Sequence, residues 1–125
     1  MYDKPLVLSI LKHIDEALGK LDSRTSQLQT SNDFTDTAAG MEKLDGVCML
    51  FIAIGEALKN VDEITQGRLL LQYPEIDWKG VIGFRDIIIT TYHYFDVDAE
   101  QVFWICKNEL PPLSLTIQNM IKDLT

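Results

Sequence analysis

The sequence predicts an all-α fold, an antiparallel bundle of four to five helices. Two observations predict it: apolar residues recur at helical spacing in successive stretches, and polar or proline-containing segments separate those stretches. The chain has 125 residues, of which 46% are hydrophobic, and it contains no internal repeat or credible linker. We therefore expect one compact domain spanning residues 1–125.

The first half of the chain predicts two helices. The first runs from Pro5 to Ser23, with apolar residues on one face and charged residues on the other. The polar stretch Thr25–Thr37 predicts a loop, in which Phe34 inserts into the core. A longer helix follows from near Asp36 to about Thr65, and Gly67 is placed to cap its end.

The second half predicts two or three more helices. Asp77 is a good N-cap for a strongly apolar third helix. Its β-branched run Ile87–Thr91 would suit a strand locally, but the helical spacing and the neighbouring helices favour a helix. Asp98 is the N-cap of a fourth helix, and the prolines of Leu110–Leu113 predict a kink or a break before a last amphipathic helix ending near Leu124.

The net charge and the cysteine content limit the possible functions and indicate the cellular compartment. The formal net charge is −8 and no run of basic residues exists, so the electrostatic footprint of a general nucleic-acid binder is absent. An acidic domain can still act on RNA through one local basic cleft, or bind a basic protein partner.

Cys48 and Cys106 lie in apolar helical stretches and predict buried, reduced thiols and a cytoplasmic location. No apolar run reaches the roughly 18 residues of a membrane helix, and no secretion signal is recognisable.

The sequence contains no motif for a metal or a cofactor. His13 and His93 are the only histidines, and no cysteine or histidine spacing suits zinc. His13 stands among charged residues of the first helix, which predicts a solvated surface position. We therefore expect neither a metal nor another cofactor.

The segment from Gly83 to Asp98, GFRDIIITTYHYFDVD, is the most informative stretch for chemistry. It places Arg85 inside a very apolar helix and His93 in a polar, aromatic turn. On the residues alone, Arg85 is explained as the ion-pair partner of a carboxylate such as Asp86 or Glu56, with His93 at a helix end.

Five short pieces follow one another along the chain: Ile54–Ala57, Tyr73–Trp78, Gly83–Asp86, Tyr94–Asp98 and Leu110–Leu113. In this order they resemble the HepT-like toxins of the HEPN family. Helix one and Phe34 fit that resemblance more loosely, so it covers nearly the whole chain. Each piece alone is weakly specific, but the five together are quite specific.

The resemblance implies a helical homodimer that cleaves RNA without a metal. The family carries an Arg–polar–(four to six residues)–His motif at the dimer cleft, which here implies Arg85 and His93 as catalytic residues. The chemistry suits them, because an imidazole accepts the proton of an attacking ribose 2′-hydroxyl and a guanidinium binds two phosphate oxygens at once. Asp86 and Thr90 are the supporting candidates.

The spacing of this motif departs from the family pattern. Counted forward from Arg85, the family's histidine position falls on Thr90; counted backward from the following tyrosine, it falls on Tyr92. Seven residues separate Arg85 from His93, which in an unbroken helix places them about 12 Å apart along the axis. Either the helix ends or bulges after Ile89, or the pair acts across a dimer, or catalysis is lost.

The resemblance also implies a protein partner. Family toxins are paired with a minimal nucleotidyltransferase antitoxin, which can silence the toxin by attaching AMP to the motif's tyrosine. By position that acceptor is Tyr94, with Tyr92 as the second candidate. Two functions thus stay open: a toxin-type endoribonuclease, or a non-catalytic helical subunit that binds a nucleotidyltransferase.

Overall fold

The protein is built from helices in the computed structural model, which describes residues 2–86 and 97–125. No strand occurs in those two ranges, so the predicted all-α class is confirmed. In the part of the chain that the structure describes, five helices have nine residues or more and two have four residues. They are α1 (Lys4–Thr25), α2 (Asn32–Thr35), α3 (Ala38–Ile64), α4 (Arg68–Leu71), α5 (Trp78–Asp86), α6 (Ala99–Asn108) and α7 (Leu110–Leu124).

Side-chain caps and prolines fix where the long helices begin. The carboxylate of Asp98 accepts the backbone N–H groups of Glu100 and Gln101 at 3.0 and 3.3 Å, which confirms it as the N-cap of α6. Helix α6 ends at Asn108, and α7 starts two residues later with prolines in its first turn. The predicted break is therefore a change of helix.

The segment predicted as a loop contains the single-turn helix α2. The carboxylate of Asp33 accepts the N–H groups of Gln29 and Thr30 at 2.7 and 3.2 Å, and these bonds lower its pKa. Phe34, directly after it, is fully buried, as predicted. Helix α2 lies so close to the start of α3 that a Cβ on Gly40 would overlap the carbonyl oxygen of Asp33.

The end of α3 is a left-handed turn. Gly67 has φ of 76° and its N–H donates a 2.8 Å hydrogen bond to the carbonyl of Asp62, which confirms its predicted part in the cap. The preceding residue, Gln66, is also left-handed, with φ of 55°. The turn reverses the chain into α4.

The core lies between α1, α3 and α7 and includes both thiols. Cys48 and Cys106 are buried and free, as predicted, and burial raises their pKa values to about 12 and about 11. His13 is exposed on α1, also as predicted. Within residues 2–86 and 97–125, no helix is long and apolar enough to cross a membrane.

Candidate functional site

Helix α5 carries the first half of the predicted motif. The Asp77 carboxylate accepts the N–H of Gly80 at 3.1 Å and its carbonyl accepts that of Val81 at 3.0 Å, so Asp77 starts the helix as predicted. The described backbone of α5 reaches Asp86 and therefore includes Arg85. The side chains of Arg85 and Asp86 are outside the described part of the structure.

The second half of the motif falls between α5 and α6. Residues 87–96 lie outside the described residues, and with them Thr90, Tyr92, His93 and Tyr94. The prediction that residues 87–91 are helical falls in the same segment. The approach of His93 to Arg85 therefore stays a prediction, whereas the two ends of the segment are fixed by α5 and by the Asp98 cap.

Two hydrogen bonds hold the start of α5 against the rest of the bundle. The indole N–H of Trp78 donates to the carbonyl oxygen of Tyr73 at 2.9 Å. The phenol of Tyr73 donates to the carboxylate of Asp123 on α7 at 2.6 Å. Burial, and then this carboxylate, raises the pKa of Tyr73 to about 12, so the phenol stays a hydrogen-bond donor at neutral pH.

A groove of about 680 Å³ runs between α3, α4 and α5; we call it the α3–α5 groove. Its floor is apolar and includes Trp78 and Ile82, and Leu71 lies at its edge with 80% of its surface exposed. Lys59 of α3 and Lys79 of α5 both line it, together with two aspartates. Ammonium groups beside an apolar surface can bind the phosphates of a nucleic acid while its bases stack on that surface.

A second cleft, of about 340 Å³, lies on the other side of α5 against α6 and α7; we call it the α6–α7 cleft. The carboxylates of Glu75, Asp77 and Glu109 line it, and among the described residues no lysine or arginine does. Trp104 also lines it and is 55% exposed. Three carboxylates disfavour a polyanion here, so this cleft is less suited to RNA than the α3–α5 groove is.

Sequence reasoning missed the two lysines of the groove. Lys59 and Lys79 are twenty residues apart and belong to different helices, and no basic run marks either one. Only the packing of α5 on α3 brings them to one groove. Among the described residues, no group of three or more histidine, cysteine, aspartate or glutamate side chains could hold a metal ion.

Comparison with known proteins gives one consistent result. The model of the family described as "Ribonuclease HepT-like" matches residues 14–120. Three proteins of Methanocaldococcus jannaschii match over 71 residues, 57% of this chain. "Putative RNase MJ0127" is 37% identical, and the match covers 54% of its length. "Putative RNase MJ0125" is 35% identical over 56% of its length, and "Putative RNase MJ1216" is 34% identical over 54% of its length. The chain thus spans about half the length of these curated relatives. No solved structure matches the chain.

Proposed function

Because the chain belongs to the ribonuclease HepT-like family, we propose that it is a metal-independent endoribonuclease, the toxin of a toxin–antitoxin pair. The observation that carries the proposal is the family match over residues 14–120, which includes the whole segment from Gly83 to Asp98. In this proposal residues 1–125 act as one HepT-like domain in the cytoplasm. A minimal nucleotidyltransferase is the antitoxin that controls it.

Arg85 and His93 carry the proposed reaction. The imidazole of His93 accepts the proton of a ribose 2′-hydroxyl as its oxygen attacks the adjacent phosphate. The guanidinium of Arg85 binds two oxygens of that phosphate and stabilises the charge that develops on them. Asp86 and Thr90 support the pair. A homodimer brings two copies of the segment together, and the second histidine protonates the leaving 5′-oxygen.

The α3–α5 groove supports an RNA path toward Arg85. Trp78 and Ile82 both line the groove and belong to α5, the helix whose backbone includes Arg85. An RNA strand lying in the groove would therefore follow this helix. Lys59 and Lys79 supply cations for its phosphates, which an overall charge of −8 would otherwise repel.

Assembly and modification complete the proposal. We propose a two-fold symmetric homodimer, and light scattering should give about twice the 14.2 kDa chain mass at micromolar concentration. We propose that the antitoxin transfers AMP to Tyr94, with Tyr92 as the second candidate. Mass spectrometry after co-expression locates the AMP, and a modification outside residues 92–94 contradicts the assignment.

The decisive experiment is an RNA cleavage assay with the purified full chain in excess EDTA. Cleavage should persist, because no metal takes part in the proposed reaction. His93→Ala should slow it about 10²–10⁴-fold, the usual contribution of a positioned proton acceptor. His13→Ala is the matched control, since His13 is exposed on α1 and should leave the rate unchanged. Inactivity of a folded, dimeric, unmodified wild type, or an unchanged rate in His93→Ala, contradicts the proposal.

A non-catalytic subunit that binds the nucleotidyltransferase is the second candidate function. The family's histidine position falls on Thr90 or on Tyr92 instead of on His93, and this departure, together with the net charge of −8, favours it. In this case the same dimer face binds the nucleotidyltransferase and no RNA is cut. Co-purification with the partner in the absence of any cleavage would identify this function.

A further inference from the structure

A third cavity lies away from α5, where the start of α1 meets the turn between α3 and α4. Its volume is about 510 Å³, within the roughly 300–1,000 Å³ typical of small-molecule sites. We call it the Lys4–Arg68 cavity after the two cations that line it. It shares no lining residue with the α3–α5 groove or the α6–α7 cleft. Only the Gln66–Arg68 turn separates it from the groove, because Gly67 lines the groove while its two neighbours line the cavity.

The charge of this cavity is opposite to that of the chain. The protein has 19 acidic and 11 basic residues, yet the described residues that line the cavity include Lys4 and Arg68 and no carboxylate. The neighbouring carboxylate of Asp3 is engaged as the N-cap of α1, accepting the N–H of Leu6 at 3.0 Å. Within the described residues, neither Lys4 nor Arg68 has an ion-pair partner. Two uncompensated cations at one concave site favour an anionic ligand.

The backbone beside the cavity is strained at one glutamine, Gln66. Gln66 is the non-glycine residue with positive φ among the described residues, at 55°. Glycine or asparagine usually occupies such a position after a helix, because other side chains crowd the backbone there. Here Gln66 occupies that position and lines the cavity, and Gln72 of the α4 end lines the same space. Strain that is retained beside a cavity favours a binding role for the residue.

We propose that the Lys4–Arg68 cavity binds a phosphate-bearing ribonucleotide, either as part of an RNA strand or as a free nucleotide. An ammonium and a guanidinium form charge-assisted hydrogen bonds to phosphate oxygens. The ring of Tyr2, which is half-buried at the cavity, offers a stacking face for a base. The amides of Gln66 and Gln72 can donate to and accept from a base edge, which inorganic phosphate cannot use.

Binding is first tested with RNA that cannot be cut. A fluorescent 12-residue oligonucleotide of mixed sequence, 2′-O-methylated throughout, has no free 2′-hydroxyl, so its affinity is independent of any ribonuclease activity. Lys4→Gln and Arg68→Gln should each weaken binding about tenfold, and each should reduce the salt slope by about 0.7, the value for one lost phosphate contact on a single strand. Lys12→Gln and Arg24→Gln remove the same charge from exposed positions of α1 and should change the affinity less than about twofold.

The two sources of the nucleotide are distinguished on the wild-type chain. In ¹⁵N-labelled protein, AMP should shift the amide resonances of Gln66, Arg68 and Gln72, which line the cavity, and inorganic phosphate should do so at higher concentration. Shifts with AMP identify a free-nucleotide site. Shifts at these amides with the methylated RNA but not with AMP identify an RNA site. The proposal is overturned if neither ligand moves these amides, or if the control variants lose as much RNA affinity as Lys4→Gln and Arg68→Gln.

Discussion

The phenol of Tyr73 donates a 2.6 Å hydrogen bond to the carboxylate of Asp123, a residue fifty positions later in the last turn of α7. The carbonyl of the same tyrosine accepts the indole N–H of Trp78, the first residue of α5. One residue thus connects the helix that carries Arg85 to the C-terminal helix. The position of the candidate site depends on this connection.

Tyr73→Phe should lower the free energy of unfolding by about 1–2 kcal/mol, because it removes a hydrogen bond to a charged acceptor. The loss of stability should be smaller than the largest values for hydrogen bonds to a charged group, because Asp123 is exposed and water can replace the phenol. Urea denaturation measures it. Tyr2→Phe is the matched control, because the Tyr2 hydroxyl forms no hydrogen bond within the described residues, and it should change stability by less than about 0.5 kcal/mol. Equal effects of the two substitutions would contradict this account.

Two helical glycines should respond in opposite directions to alanine. Gly40→Ala places a Cβ against the backbone carbonyl of Asp33, which cannot move aside without shifting α2, and should cost about 1–3 kcal/mol. Gly19→Ala meets nothing within 4 Å on the exposed side of α1 and should stabilise by about 0.5–1 kcal/mol. Thermal unfolding followed by circular dichroism measures whether each substitution stabilises or destabilises the chain. Stabilisation by Gly40→Ala would show that α2 does not pack on α3 in this way.

Stability should fall in alkaline solution. The pKa values of Cys48 and Tyr73 in the folded chain are raised to about 12, from ordinary values of 9.0 and 10.0. The unfolded chain therefore loses these protons first, so their stabilising contribution is complete below about pH 9 and is lost as the pH rises toward about 12. Urea midpoints between about pH 7.5 and pH 10.5 should decline, and Cys48→Ala should reduce the slope. A flat profile over this range would exclude buried, protonated groups at these positions.

The sequence predicted those features that depend on local chemistry. Asp77 and Asp98 were identifiable as N-caps because an acidic side chain precedes an apolar, periodic stretch in each case. The break before α7 followed from two prolines. Helix α2 was not predicted, because four residues hold about one turn and show no periodicity.

The basic sites could not be predicted, because they depend on which helices meet. Lys4 and Arg68 are sixty-four positions apart, and they line one cavity only because the turn after α3 returns the chain to the start of α1. Lys59 and Lys79 meet in the same way across α3 and α5. In the sequence, these basic residues are scattered and form no cluster. The fold, by contrast, concentrates them in cavities of a chain whose net charge is −8.

Arg85 gives the sharpest chemical prediction for the proposed ribonuclease. Arg85→Ala should reduce single-turnover RNA cleavage about 10²–10³-fold or more, because it removes the group that stabilises charge on the phosphate. Arg85→Lys should recover little of this activity, since an ammonium is a point charge and cannot make the two parallel contacts of a guanidinium. Arg24→Ala and Arg24→Lys are the controls, because Arg24 is exposed on α1 and should leave the rate unchanged.

The lysine variant separates catalysis from folding at this position. An arginine that only pairs with a carboxylate inside the bundle would affect stability, and Arg85→Lys would then retain both the fold and the cleavage rate. Circular dichroism and urea unfolding are therefore measured beside the rate for each variant. A folded Arg85→Lys protein that cleaves RNA as fast as the wild type would assign Arg85 a structural role. A folded Arg85→Lys protein with the rate of Arg85→Ala would instead identify two-pronged phosphate binding as the function of this residue.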